Sequence, residues 1–366
     1  MTWGSGGRGG ITAADLAHCR EAIRTGSLSF HAASRLLPGR VRDPALVLYA
    51  FCRLADDAVD EVADTVGASK AQAVLRLGER LDLAYAGRPR NAPTDRAFAG
   101  LIAEYDMPRA LPEALLEGLA WDAEGRRYDT LSGVLDYSAR VAAAVGAMMC
   151  VLMGVRDADR LARACDLGLA MQLTNIARDV GEDARAGRLY LPRDWLEEAG
   201  ISERAFLEDP RLTPGMAALI RRLLDQADRL YLRAEPGIAA LPLSCRPGIF
   251  AARHVYDGIG GMVRRAGCDS ITRRARTTKG QKLGWLARSV IRSVAAQLMP
   301  RPATLHARPM PEVDFLVRAA MREAPRAGRP DAVFAALEAL RRRDLAARGA
   351  HVMLQGSESG LEARRA

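Results

Sequence analysis

The stretch QLTNIARDVGED, Gln172 to Asp183, sets Asn175, Asp179 and Asp183 four residues apart inside an otherwise apolar run. At ~3.6 residues per turn these three side chains share one helical face, each ~6 Å further along the axis than the last. A second stretch, YAFCRLADDAVDE, Tyr49 to Glu61, repeats the device. Asp56 and Asp60 fall on one face, Asp64 extends the row, and Asp57 lies about 100° round the cylinder. Like charges at this spacing weaken a helix by ~0.2–0.5 kcal/mol per pair, and Asp is a poor helix former. Two such rows on core-facing helices store electrostatic strain that a multivalent cation relieves. An all-oxygen ligand set of this kind suits Mg²⁺, which keeps waters and bridges to substrate phosphates. For either row alone, a solvated acidic face paired with a nearby arginine explains the pattern equally well. With both rows in one chain, and Arg53 and Arg178 built into them, a shared cation is the stronger reading.

Outward from these rows, apolar periodicity near 3.6 predicts helices over 12–25, 29–36, 44–65, 69–86, 112–127, 130–154, 157–185, 213–240, 247–266 and 281–298. Pro44, Pro112 and Pro247 fall at or near helix starts, where a missing N–H does no harm. No alternating run supports a sheet, and no GxGxxG follows a strand. Apolar residues make up 49% of the 366 and aromatics 5%. Ala and Leu dominate, which favours helix. The expectation is an all-α, single-domain helical bundle: a flexible N-terminus over 1–11, a catalytic domain over 12–299, and a C-terminal extension over 300–366. The extension opens with the Pro-rich MPRPATLHARPMP, which reads as a linker; two short amphipathic helices follow, then a tail expected to be disordered after about residue 350.

Composition excludes several function classes. The chain lacks a run of ~18 apolar residues, so no transmembrane helix is expected, and its start lacks the apolar core of a signal peptide. Six cysteines without CxxC read as small buried hydrophobes in a reducing compartment, and five scattered histidines give no zinc spacing. Lys and Arg exceed Asp and Glu by 53 − 44 = 9, with only Lys70, Lys279 and Lys282 as lysines. Such a balance fits an anionic surface, a phosphorylated substrate or a bias toward Arg codons. The arginine pairs are dispersed without interleaved aromatics, so nucleic acid is not expected as a partner. A cytoplasmic location follows.

The ordered blocks resemble the squalene and phytoene synthases, the head-to-head trans-isoprenyl diphosphate synthases. Ser27-Leu-Ser29-Phe30 with Leu37-Pro38 resembles their serine–phenylalanine block, Tyr49–Asp60 the first aspartate motif, and Tyr137–Gly146 the tyrosine and small-residue helix. Gln172–Asp183 with Gly187–Pro192 resembles the second aspartate motif, and Tyr256-Asp-Gly-Ile-Gly with Arg273 completes a set spanning 27–274. The set looks closest to the bacterial phytoene-forming branch. One departure is visible: where the family commonly has Tyr-x-Tyr, this chain has Tyr137-Ser-Ala139, so only the first tyrosine carries over.

The resemblance implies a helical bundle with a central cavity and two facing aspartate rows that hold Mg²⁺, with Mn²⁺ as a substitute. It implies condensation of two geranylgeranyl diphosphates through prephytoene diphosphate to phytoene, the first committed step of carotenoid biosynthesis. On that basis Asp56, Asp60, Asn175, Asp179 and Asp183 are candidate metal ligands. Ser27, Ser29, Tyr49, Arg53, Gln172, Arg178, Tyr256 and Arg273 are candidates for substrate binding. Ala142, Val145 and Gly146 leave room for prenyl chains, although close helix packing explains Ala142 and Gly146 as well. Phe30 offers a π face to carbocations, and Tyr137 and Arg53 join it as catalytic candidates.

Trp285–Leu298 has a basic and an apolar side; an interfacial helix and an ordinary core helix both fit it. Peripheral association with the inner face of the cytoplasmic membrane and a downstream carotenoid desaturase are the further partner expectations. A squalene or dehydrosqualene synthase using farnesyl diphosphate is the nearest alternative. Squalene formation takes hydride from a nicotinamide cofactor and commonly comes with a C-terminal anchor; neither is expected here. A non-catalytic assembly factor is the alternative from another class, disfavoured because all four aspartates are present.

Overall fold

The computed structural model describes residues 11–26, 33–60, 70–275, 277–298 and 302–322. Among them there is no strand. The helices are α1 (Ala13–Gly26), α2 (Gly39–Asp60), α3 (Lys70–Tyr85), α4 (Pro93–Tyr105), α5 (Ala110–Ala123) and α6 (Leu131–Leu152). There follow α7 (Ala158–Arg185), α8 (Arg193–Glu198), α9 (Glu203–Glu208), α10 (Pro214–Ala240), α11 (Arg246–Arg265), α12 (Lys279–Leu298) and α13 (Asp314–Ala320).

The centre is α7, which carries the second acidic row. Asp157 caps its N-terminus by accepting from the Arg160 N–H at 3.1 Å. Its apolar positions, including Leu161, Leu169, Leu173 and Ala177, are fully buried, and α10 packs along it. Truncating one such leucine to alanine costs ~2–5 kcal/mol. Against its other side lies α6, and there the two backbones nearly touch. A Cβ on Gly168 would sit 2.6 Å from Ala143 Cα, and one on Gly146 would sit 2.8 Å from the Ala164 carbonyl oxygen. Within α6, residues Ala139–Ala143 form a π-helical turn, a feature that recurs at functional sites. By length and composition α6 could cross a bilayer, contrary to the sequence reading, but most of its apolar face is buried inside the bundle.

Helix α2 begins five residues before the proline expected to start it. Pro44 removes the N–H that would have bonded the Arg40 carbonyl, and the Tyr105 hydroxyl donates to that carbonyl at 3.3 Å instead. The predicted set omitted α4, although Pro93 at its first position and Asp95 in its first turn are start signals.

The expected boundary at 300 moves. Residues through Met321 belong to one compact unit, with Leu305, Val313, Leu316, Val317 and Ala320 buried. Pro302–Met321 is thus a strap on the bundle rather than the start of an appendage. Residues 1–10 and 323–366 lie outside the described residues, as do the terminal tail and most of the flexible N-terminus read from sequence.

Candidate active site

Two adjacent spaces lie beside α7. One is a polar cleft of about 260 Å³ lined by Asp56 and Val59 from α2, Lys70 from α3, Asp122 from α5 and Tyr137 from α6. Gln172, Asn175, Arg178, Asp179 and Asp183 enter it from α7, with Arg188 and Tyr190 beyond. The other is an apolar tunnel of about 270 Å³, and Gln172 and Asn175 line both. Asp56 of the first row and Asn175, Asp179 and Asp183 of the second therefore open on one cavity from two different helices. Asp60 ends α2, but its side chain lies outside the described residues, as do Asp64, Ser27, Ser29 and Phe30.

Asp179 is clamped. Arg178 donates to its two oxygens at 2.7 and 2.5 Å, and Arg274 donates at 2.8 and 3.0 Å. Burial alone would raise its carboxyl pKa, but the two guanidinium groups hold it below the usual range. Arg274 reaches this position because α7 offers Gly181 to the chain after α11. The Gly181 N–H donates to the Ser270 carbonyl at 3.0 Å, and any Cβ there would meet Ile271 Cα at 2.5 Å. Asp269 holds the turn by accepting from the Ile271 and Thr272 N–H groups at 3.2 and 3.0 Å. Arg273, the residue singled out from sequence, is exposed and lies 4.0 Å from Asp269. The contact with Asp179 comes from its neighbour Arg274.

Asp183 is treated differently. Burial pushes its carboxyl up to about 7, Arg188 at 3.5 Å opposes this, and Asp179, Glu182 and Asp122 add to it. Asp122 is a cleft carboxylate that sequence reasoning missed. It accepts from the Tyr137 hydroxyl at 2.8 Å and the Tyr190 hydroxyl at 2.7 Å. These two rings stack with centroids 5.0 Å apart, and Tyr128 joins them. Burial holds the Tyr137 phenol well above its ordinary pKa, so it stays neutral and donates.

On α2, Arg53 binds Asp57 at 2.6 Å and approaches Asp56 at 4.0 Å. Asp56 is 54% exposed. Among the described residues, no three carboxylate, histidine or cysteine side chains are close enough to hold one ion unaided. The residues nonetheless fit a divalent cation: the donors are all oxygen, and Asn175 Oδ1 is buried at the junction of cleft and tunnel without a hydrogen-bond partner.

The tunnel takes Tyr49 and Cys52 from α2, Ala142, Val145, Gly146, Met149 and Met153 from α6, and Leu167, Gly168 and Met171 from α7. Tyr256 and Ile249 close it from α11. Ala142, Val145, Gly146, Tyr49, Gln172 and Tyr256 thus share a wall, as expected. Gly146 serves both readings proposed for it, since it lines the tunnel and touches α7. Burial raises the Cys52 thiol to about 12, which removes it as a nucleophile in the tunnel.

Residues 23–281 match the family model described as squalene/phytoene synthase. The chain is 64% identical over 339 residues to a phytoene synthase of Cereibacter sphaeroides, covering 91% of this chain and 96% of that one. It is 39% identical over 306 residues to a 15-cis-phytoene synthase of Pantoea ananas, covering 81% and 98%. Among solved structures, a dehydrosqualene synthase in complex with ligand superposes with a TM-score of 0.70 at 29% identity, covering 77% of this chain and 97% of that one.

Proposed function

The chain belongs to the squalene/phytoene synthase family, and on that premise we propose that it condenses two geranylgeranyl diphosphates head to head, through prephytoene diphosphate, to phytoene. The observation that carries this reading is the junction at Gln172 and Asn175, which line both an acidic, arginine-bearing cleft and an apolar tunnel. An allylic diphosphate has the same two-part chemistry. Asn175, Asp179 and Asp183 on α7, with Asp56 and Asp60 on α2, would hold Mg²⁺, or Mn²⁺ in its place. When bound, the cation neutralises the charge that builds on the departing diphosphate.

The first allylic C–O bond breaks with its electron pair leaving on diphosphate. Arg178 and Arg274 let go of Asp179 and turn to that anion, which their planar fork of donors suits. The other substrate's double bond captures the cation, and loss of a proton closes the cyclopropane. The second ionisation, rearrangement and proton loss give the hydrocarbon. The stacked Tyr128, Tyr137 and Tyr190 present π faces near the cleft, and their neutral phenols offer no anion to trap a cation. Tyr137, whose hydroxyl donates to Asp122, would pass on the lost proton.

The product has almost no solubility in water, and α12 offers a route for it. The buried face of α12 carries Ser289 and Ser293, whereas Leu283, Val290, Ile291 and Val294 are exposed on one side, with Arg288 beside them. This side suits the inner, anionic face of the cytoplasmic membrane, to which a cytoplasmic protein of net charge +9 is drawn. A membrane-bound desaturase would take over the product there. Replacing Ile291 and Val294 by serine should weaken cosedimentation with anionic liposomes at least tenfold; unchanged cosedimentation rules out this face.

Product analysis tests the main reading. Purified protein with Mg²⁺ and geranylgeranyl diphosphate, without NADPH, is expected to yield phytoene by chromatography and absorbance. Equal or better conversion of farnesyl diphosphate overturns the substrate assignment.

A further inference from the structure

At the end of the tunnel away from the cleft, two arginines join the apolar lining. Arg160 and Arg163 stand there on α7, opposite Gly237 and Leu241 of α10. Arg163 is fully buried, with its Nε 2.8 Å from Asp166 Oδ2, and Asp166 is fully buried too. Arg233 of α10 donates to the same oxygen at 2.9 Å. The strap completes the assembly: Arg163 donates to the Thr304 carbonyl at 2.5 Å, and Arg233 donates to the Arg308 carbonyl. A further nitrogen of Arg163, NH2, is buried without a hydrogen-bond partner, as is Asp166 Oδ1. Such a cluster is a costly way to fill space, since a packed apolar core would be at least as stable. It is, however, a support that an apolar chain cannot displace without breaking a buried ion pair.

Its depth can be set against the substrate. From Asn175, at the mouth, to Arg163 is twelve residues of α7, or ~18 Å at ~1.5 Å of rise per residue. An extended chain advances ~1.2 Å per skeletal bond, so the ~15 carbon–carbon bonds along a four-isoprene chain cover ~18 Å and the ~11 along a three-isoprene chain cover ~13 Å. A three-isoprene chain ends near Leu167, one turn short of the charges, whereas a five-isoprene chain would run into them.

We propose that Arg163, fixed by Asp166, by Arg233 behind it and by the carbonyls of the Pro302–Met321 strap, is the floor of the tunnel and limits the substrate to four isoprene units. This rests on the reading of the cleft and tunnel as an allylic diphosphate site. It assigns selectivity to residues ~18 Å from the carboxylates and gives the strap a role in function.

Two variants test it, with allylic diphosphates of three, four and five isoprene units in Mg²⁺. Turnover is read as kcat/KM, and binding of the thiolodiphosphate analogues is read by calorimetry. Ala164→Phe fills the last turn above the floor. It is expected to lower the four-unit to three-unit ratio at least tenfold in both readouts. R163M/D166L/R233M replaces all three charges together, leaving no orphan ion, and is expected to raise the five-unit to four-unit ratio at least tenfold. Circular dichroism and thermal melting establish that each variant is folded; if the triple variant is not, Ala164→Phe decides alone. Unchanged ratios in a folded variant, with the wild type active on the four-unit substrate, overturn the floor and leave the proposed activity standing. A wild type that turns over none of the three substrates overturns the proposed activity itself.

Discussion

On α2 the Asp56 side chain is 54% exposed and 4.0 Å from Arg53, whereas on α7 Asp179 is 15% exposed and takes two hydrogen bonds each from Arg178 and Arg274. The sequence writes the two rows with the same four-residue spacing, yet the surroundings give them different work. The α7 row is desolvated, and its repulsion is answered by the protein's own cations. On α2, Asp56 faces water, where charge costs little. Asp179 is therefore preorganised with its arginines in reserve, while Asp56 meets the cleft from the solvent side.

Four experiments break or sharpen that contrast. Excess EDTA is expected to remove essentially all activity, and full return of activity with Mg²⁺ distinguishes loss of the ion from loss of the fold; undiminished turnover in EDTA breaks the comparison for both rows. Asp179→Asn should lower kcat/KM on the order of 10³-fold, because it removes a buried carboxylate charge and leaves two guanidinium groups facing an amide. Asp56→Asn should act mainly through affinity, raising the Mg²⁺ concentration for half-maximal activity by roughly ten- to a hundredfold. Its exposure keeps the stability change within ~0.5 kcal/mol by denaturant titration. Equal responses of the two variants would remove the distinction between the rows. Arg274→Ala is expected to be mildest, raising KM for the diphosphate substrate about tenfold, since Arg178 remains to bind the diphosphate. A larger loss in kcat than in KM would instead place Arg274 in the transition state.

The long helices were legible because burial on one face imposes a strong 3.6 period, and α7, α10 and α11 formed within a residue or two of their predicted spans. The strap was not, since a Pro-rich run reads as a linker whether or not its few apolar side chains find a groove. In the site, spacing on one helix could be read, so Asn175, Asp179 and Asp183 stood out. Asp122 could not: a lone Asp near a helix end looks like a surface residue until the fold brings two tyrosine hydroxyls to it. Arg273 and Arg274 show a finer limit. In an irregular segment no periodicity says which of two adjacent arginines points inward, and here the docking of Ile271 on Gly181 decides.

The close approach of α6 and α7 also constrains how this enzyme could be redesigned. Gly146 and Gly168 already meet opposing backbone, so neither can gain a methyl group without prising two helices apart. Adaptation to bulkier or differently branched lipids must then fall to Met149, Met153 and Met171, whose unbranched thioethers re-pack readily. A mutational library aimed at new products would do best to vary those three and leave the glycines fixed.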